Sequence, residues 1–212
     1  MPEEVGIPRF IVIEGLDGCG KSTQAKLLAD ELTRQGIQTL HTCQPSRAPT
    51  GQLARMALKG EVPLENEAMA LLFATDRYQH YHTEVAPELA RGNHVVCDRY
   101  FYSNMAFQGI DPAAMKRIMA YNQGVMSPPA KRPDIVFFLD VPPEECIERI
   151  LHTRQDISIY ETIPKLTATR ERYLQVFELL KESDNIITIA AAGASEKEVF
   201  NKIWSHLNKK LE

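Results

Sequence analysis

Cysteine is scarce in this chain and scattered. Four residues in 212, at Cys19, Cys43, Cys97 and Cys146, form no C-x-x-C pair. Thiols spaced like this read as small buried hydrophobes in a reducing cytoplasm rather than as a disulfide framework. Excess positive charge is missing too. The formal net charge is −4, so no global basic field draws the chain to nucleic acid or to a membrane surface. No apolar run approaches the length that spans a bilayer. The acidic opening stretch, Met1 to Val5, lacks the pattern of a signal peptide. Repeats, low-complexity tracts and linkers are absent as well, which predicts a single domain over 1–212 with a cytoplasmic location.

What is present begins with Gly15-Leu16-Asp17-Gly18-Cys19-Gly20-Lys21-Ser22, which fits G-x-x-x-x-G-K-[ST] at every fixed position. An apolar run, Phe10–Ile13, precedes it, and a helix-like segment, Ser22–Gln35, follows. Strand, glycine-rich loop and helix make a phosphate cradle. Glycines turn backbone N–H groups inward, and the helix N-terminus adds partial positive charge. Lys21 reaches the β- and γ-phosphates of such a ligand, and the Ser22 hydroxyl is suited to Mg²⁺. The expected nucleotide-binding set is therefore Gly15 to Ser22 with Thr23. Cys19, inside the loop, is a candidate reactive thiol.

Five apolar runs without alternation, Phe10–Ile13, Gln38–Cys43, His94–Cys97, Ile135–Leu139 and Asn185–Ala190, read as buried parallel strands. Helical segments separate them. Ala25, Leu28, Ala29 and Leu32 share one face, and Gly36 closes that helix. Further helices are expected over Glu65–Glu88, Asp111–Val125, Pro143–His152, Thr167–Glu182 and Ser195–Lys210. The alternation predicts an α/β fold: a three-layer α/β/α sandwich around a five-stranded parallel sheet, with ligands at the strand C-terminal ends.

A phosphate cradle does not say what accepts the phosphoryl group. Phe73 and Arg77 stand four apart, so they share a helix face. A ring beside a guanidinium suits a planar base, although the spacing alone favours a core Phe beside a solvated Arg. Asp98-Arg99 begins where the third strand ends. There Asp98 can hold a Mg²⁺-bound water and Arg99 can grip a phosphate in two-pronged fashion. Ser103, Asn104, Phe107 and Gln108 follow on one short helix. Arg149 and Arg154 lead into a charged stretch ending at Glu161; it is either a solvated loop or an arginine-bearing lid near 150–161.

Taken together, Ile13 to Gln24, Leu71 to His80, and Asp98-Arg99-Tyr100 with Ser103, Ala106, Phe107, Gln108 and Gly109 resemble the thymidylate kinases. The resemblance runs in order through nearly the whole chain. It implies ATP-dependent, Mg²⁺-assisted phosphorylation of dTMP by a homodimer. By position it implies that Asp17 meets the acceptor sugar region, Phe73 stacks on thymine and Arg77 meets its carbonyl edge. Arg99 would hold the acceptor phosphate, Asn104 would read the base, and Phe107 would crowd the 2′ position of a ribose. Lys21, Arg99 and Arg154 would shield the transferring group, with Arg154 supplying from the lid the arginine that this phosphate loop lacks. Ser22 and Asp98 would hold the metal directly or through water.

One departure stands out. The family usually carries Arg-Glu-Pro after the second strand, and this chain has Cys43-Gln44-Pro45-Ser46-Arg47. Either Arg47 restores the missing charge or the acceptor site has changed. A kinase of dUMP or UMP and a regulatory P-loop protein without acceptor chemistry are the alternatives. Against the regulatory one, Asn201-Lys202-Ile203-Trp204 lacks the aspartate of a guanine-reading motif.

Overall fold

A computed structural model of the chain describes residues 10–126, 132–153 and 160–208. The strands are β1 (Phe10–Gly15), β2 (Thr39–Cys43), β3 (His94–Asp98), β4 (Ile135–Asp140) and β5 (Ile186–Ala190). They form one parallel sheet in the order β2-β3-β1-β4-β5. The five apolar runs are these strands; β1, β3 and β4 are covered on both faces and need no polar alternation, whereas the edge strands β2 and β5 are only partly covered. Phe10 to Ile13, Val95 to Cys97 and Ile135 to Leu139 are all fully buried. Each large side chain so buried contributes about 1.5–3 kcal/mol of hydrophobic stabilisation.

Nine α-helices are described. They are α1 (Lys21–Arg34), α2 (Pro49–Leu58), α3 (Asn66–His80), α4 (Ala86–Ala90), α5 (Phe101–Gln108), α6 (Pro112–Met126), α7 (Pro143–Thr153), α8 (Ile163–Leu180) and α9 (Glu196–Asn208). Helix α1 buries Ala25, Leu28, Ala29 and Leu32, the apolar stripe read from the sequence. It packs on β1, β2 and β3 and against α9. Helix α5 lies on β1 and is surrounded by α3, α6 and α8.

Two elements differ from the expectation. The segment Glu65–Glu88 is not one helix: a π-helical turn, Tyr81–Val85, separates α3 from α4. Helix α2 was not anticipated. Its Pro49 sits at the helix start, where a missing N–H costs nothing. Gly51 in its first turn is required by contact, since a Cβ there would lie 2.0 Å from the Ser46 carbonyl oxygen.

The register aligns the strand C-termini. Ile13 pairs with Asp98, Gly15 with Leu139, and Cys43 with Asp98. The loops after β1, β2 and β3 therefore open on one edge, beside the central strand where the connections diverge to either side.

Candidate active site

The phosphate loop follows β1 and leads directly into α1. Gly18 has φ 82, and a Cβ there would sit 2.3 Å from the Cys146 carbonyl oxygen, so only glycine lets the loop pass α7. Leu16 and Cys19 point into the core and contribute only backbone to the loop's outer side. The candidate reactivity of Cys19 is corrected here: the thiol is 2% exposed, and burial pushes its pKa up. Lys21 Nζ donates to the Leu16 carbonyl at 2.7 Å and lies 4.0 Å from Asp17 Oδ1. Ser22 and Thr23 stand exposed on the first turn of α1. The Ser22 hydroxyl donates to Asp98 Oδ2, whereas Asp98 Oδ1 is buried without a hydrogen-bond partner among the described residues.

Arg99 turns away from the end of β3 with φ 72, a left-handed conformation unusual for a side-chain-bearing residue. Its Nη2 donates to Asp17 at 2.8 Å; its Nη1 donates to Gly15 O at 3.0 Å, Ser103 Oγ at 2.8 Å and Tyr173 Oη at 3.0 Å. The guanidinium also stands 5.1 Å from the Phe107 ring centre. Beneath it lies Glu14, fully buried at the end of β1. Glu14 accepts from Tyr100 N at 2.7 Å, Ser103 N at 3.3 Å, Ser103 Oγ at 2.6 Å and Tyr173 Oη at 2.9 Å. Burial raises the Glu14 pKa, while Arg99 and these donors pull it back. Burial likewise opposes the charge on Arg99, but Asp17, Tyr173, Glu14 and Asp98 together hold it firmly ionised.

Helix α3 brings Phe73 to the same cavity, half-buried, with Arg77 one turn on. Arg77 is not the solvated arginine that spacing alone suggests; it is 2% exposed. Its Nε donates to Gln44 Oε1 at 3.0 Å, and its terminal nitrogens meet Asn122 Oδ1, Asn104 Oδ1 at 3.4 Å and the Tyr100 carbonyl at 3.4 Å. These partners are all neutral, and burial draws its pKa from 12.5 down to about 10. Because a guanidinium only donates, it orients the amides in series. Asn122 Nδ2 donates to Asn104 Oδ1 at 3.1 Å, Asn104 Nδ2 to Gln108 Oε1 at 3.0 Å, and Gln108 Nε2 to Tyr160 Oη at 3.0 Å.

The segment after β2 is held from two sides. Asp76 on α3 accepts from Ser46 N at 2.7 Å, Ser46 Oγ at 2.6 Å and Thr50 Oγ1 at 2.7 Å. Arg55 on α2 donates to the Ser46 carbonyl at 2.6 Å and the Pro45 carbonyl at 2.5 Å. The Gln44–Pro45 peptide is cis. Arg47 is exposed and lies outside the cavity lining; Arg55, eight residues later, is in it. Sequence reading missed Arg55 along with α2, and it also missed Asn122 and Tyr160; it noted Gln44 only as a departure from the family pattern and Glu161 only as the end of the charged stretch.

One cavity of about 430 Å³ lies among these groups, although Glu14, Asp76 and Asn122 are not in its lining. It runs from Lys21, Ser22 and Asp98 past Asp17 and Arg99 to Phe73, Arg77, Asn104, Phe107 and Gln108. Lys21, Arg55, Lys59, Arg77 and Arg99 outnumber Asp17, Asp98 and Glu161 around it, so the cavity favours an anion. Arg154 falls among 154–159, outside the described residues, as does half of the expected lid.

A phosphate loop that feeds a second, cationic and aromatic compartment defines the class of P-loop kinases acting on a small phosphorylated acceptor. The thymidylate kinase family model matches residues 13–203. The chain is 38% identical over 208 residues to a probable thymidylate kinase of Pyrococcus abyssi, covering 95% of this chain and 97% of that protein. It is 32% identical to a thymidylate kinase of Leptospira borgpetersenii, with 96% and 97% covered. A probable thymidylate kinase of Methanocaldococcus jannaschii is 37% identical, with 93% and 95% covered. The chain belongs to the thymidylate kinase family.

Proposed function

We propose that this chain transfers the γ-phosphoryl group of ATP to dTMP, giving ADP and dTDP. The observation that carries the reading is the continuity of one cavity from the phosphate loop to the Phe73–Arg77 face. The acceptor phosphate is already a nucleophile, so the protein's work is positioning and charge neutralisation. Lys21 and Arg99 shield the transferring group, and Asp17 orients the acceptor sugar and the arginine beside it. Phe73 stacks on the base, Arg77 donates to its carbonyl edge, and Asn104 and Gln108 complete the polar wall. Phe107 crowds a 2′-hydroxyl. Arg55 takes the acceptor-phosphate role for which Arg47 was the sequence candidate. In this reading the chain is a single kinase domain, and Arg154 on the segment 150–161 acts as its lid arginine.

The donor set fits a magnesium ion. Ser22 offers a hydroxyl, and Asp98 offers a buried carboxylate oxygen with no hydrogen-bond partner among the described residues, both hard ligands beside the phosphate loop. Ser22 and Asp98 would hold Mg²⁺, directly or through water, and the ion would neutralise phosphate charge.

A homodimer is proposed on the same resemblance. Leu53 and Met56 on α2, and Leu71 and Tyr78 on α3, are 41%, 43%, 46% and 52% exposed, an apolar surface suited to a second copy. The nucleotide substrates and unpaired thiols suit the cytoplasm. Among the described residues no helix is long and apolar enough to cross a membrane.

A panel of dTMP, dUMP, UMP and dCMP with ATP and Mg²⁺ tests the function. Preference for dTMP is expected. Comparable or faster turnover of another acceptor would replace dTMP, and acceptor-independent ATP hydrolysis alone would remove the kinase reading.

A further inference from the structure

The base-facing arginine is connected to the surface by a chain of hydrogen bonds whose direction is forced. Arg77 Nε can only donate, so the Gln44 atom 3.0 Å away is its carbonyl oxygen. The Gln44 NH₂ therefore faces His80 Nδ1, at 3.1 Å. An amide NH₂ only donates, so Nδ1 must accept and the ring proton must sit on Nε2. His80 Nε2 lies 2.7 Å from Thr42 Oγ1, and the Thr42 hydroxyl passes the chain to Glu84 Oε2 at 3.1 Å. His80 is fully buried, whereas Glu84 on the π-helical turn reaches solvent.

We propose that neutral His80, protonated on Nε2 alone, is a positioning residue: it locks the Gln44 amide against Arg77, and protonation of its ring releases that lock and weakens acceptor binding. This rests on Arg77 meeting the acceptor base. A second ring proton places Nδ1–H against the Gln44 NH₂, two donors face to face. Gln44 must then turn its amide, which presents the NH₂ to Arg77 and removes its Nε acceptor. A carboxylate at position 44 accepts from Arg77 in every state and from His80 Nδ1 once that nitrogen is protonated, so protonation sets no donor against a donor there and the sensitivity belongs to the glutamine of this chain.

The groups facing His80 are the Thr42 hydroxyl and Gln44 amide from β2 and the loop after it, Asp76 and Arg77 on α3, and Glu84. Burial holds its pKa below the ordinary 6.5, against the pull of Glu84 and Asp76. The release is therefore an acid-side event.

The test compares wild type, Gln44→Glu and His80→Asn from about pH 5 to about pH 8. Asn places an amide oxygen near the site of Nδ1 and does not titrate. Direct dTMP binding and the dTMP KM at saturating ATP are measured at each pH. The wild-type KM is expected to rise about tenfold more than that of either variant on the acid side, with kcat moving less; tenfold is what one charge-assisted hydrogen bond provides. The acceptor phosphate's own ionisation, near about 6, is common to all three proteins and cancels in the ratio. Nitrogen-15 NMR of the wild-type imidazole adds a readout independent of acceptor and turnover. Protonation at Nε2 alone at neutral pH supports the lock; an Nδ1–H tautomer overturns it. An unchanged acid profile in Gln44→Glu overturns the coupling. If the wild type prefers another nucleotide, the dTMP reading fails, while the tautomer and the KM ratios with that nucleotide still decide this one.

Discussion

Asp17 Oδ1 accepts a 2.8 Å hydrogen bond from Arg99 Nη2, so the phosphate loop after β1 and the turn after β3 are joined by a charged contact. The other terminal nitrogen of Arg99 is committed to Gly15, Ser103 and Tyr173. A planar fork satisfies both sides at once; a lysine ammonium is a point charge on a flexible stem and cannot. Arg99→Lys is therefore expected to lower kcat/KM roughly a hundredfold, the effect of two charge-assisted hydrogen bonds at about 1.5 kcal/mol each. Steady-state kinetics check it, and near-normal efficiency would show that charge alone suffices at this position.

The Ser22–Asp98 contact yields a separate expectation. Asp98→Asn retains the shape but removes the anionic charge beside the buried oxygen that lacks a hydrogen-bond partner. The Mg²⁺ concentration for half-maximal rate should rise about tenfold or more, with the melting temperature little changed. A magnesium titration at fixed ATP measures this. An unaltered magnesium requirement would take Asp98 out of the metal site.

Arg55 and Arg47 separate by the same kind of measurement. Arg55 lines the cavity and Arg47 is exposed outside it. Arg55→Lys should raise the acceptor KM about tenfold, since lysine keeps the charge but loses the fork held by Ser46 and Pro45. Arg47→Ala should leave KM within about twofold, as exposed charges usually do. The reverse order would return the acceptor-phosphate role to Arg47.

This pair also marks where sequence reading succeeds and where it stops. The central strands β1, β3 and β4 were legible because their apolar runs have one good solution, burial between layers. The phosphate loop was legible because its glycines, lysine and serine are fixed by the backbone geometry they serve. Arg55 was not, because α2 carries a proline and a glycine in its first turn, which read as a loop. Only the close approach to Ser46 explains Gly51. Arg77 was read as a base-meeting arginine through the family resemblance but as a solvated one by spacing, and His80 was given no role of its own. Their burial depends on Gln44, Asn104 and Asn122, which come from other elements, and no local pattern signals that meeting. The break at Tyr81–Val85 has one local signal, Pro87 just after it, which cannot donate to the Thr83 carbonyl as a continuous α-helix requires.

Glu14 allows stability and activity to be set against each other. The buried carboxylate has a pKa raised above 4.5, with burial as the main cause. A group whose folded pKa lies above its unfolded value contributes stability below the unfolded pKa and loses it as pH rises through the folded one. The ionised form of Glu14 is therefore a cost to folding. Glu14→Gln keeps the shape and one acceptor oxygen for the Tyr100 and Ser103 amides, and it removes that cost. Its NH₂ then faces the Ser103 and Tyr173 hydroxyls, which already accept from Arg99 Nη1. Those hydroxyls lose the carboxylate as acceptor, which leaves them each other at 2.7 Å and, for Tyr173, the Gly15 carbonyl at 3.4 Å, and Arg99 loses both its alignment and the field beneath it. The expected result is a melting temperature at neutral pH equal to or above wild type, a difference that shrinks toward acid, and a kcat/KM about tenfold lower, the worth of one charge-assisted hydrogen bond. Calorimetry across a pH series, paired with kinetics, reads both. A variant that is less stable by the same amount at every pH, or fully active at neutral pH, would show that Glu14 neither carries the burial cost nor sets Arg99.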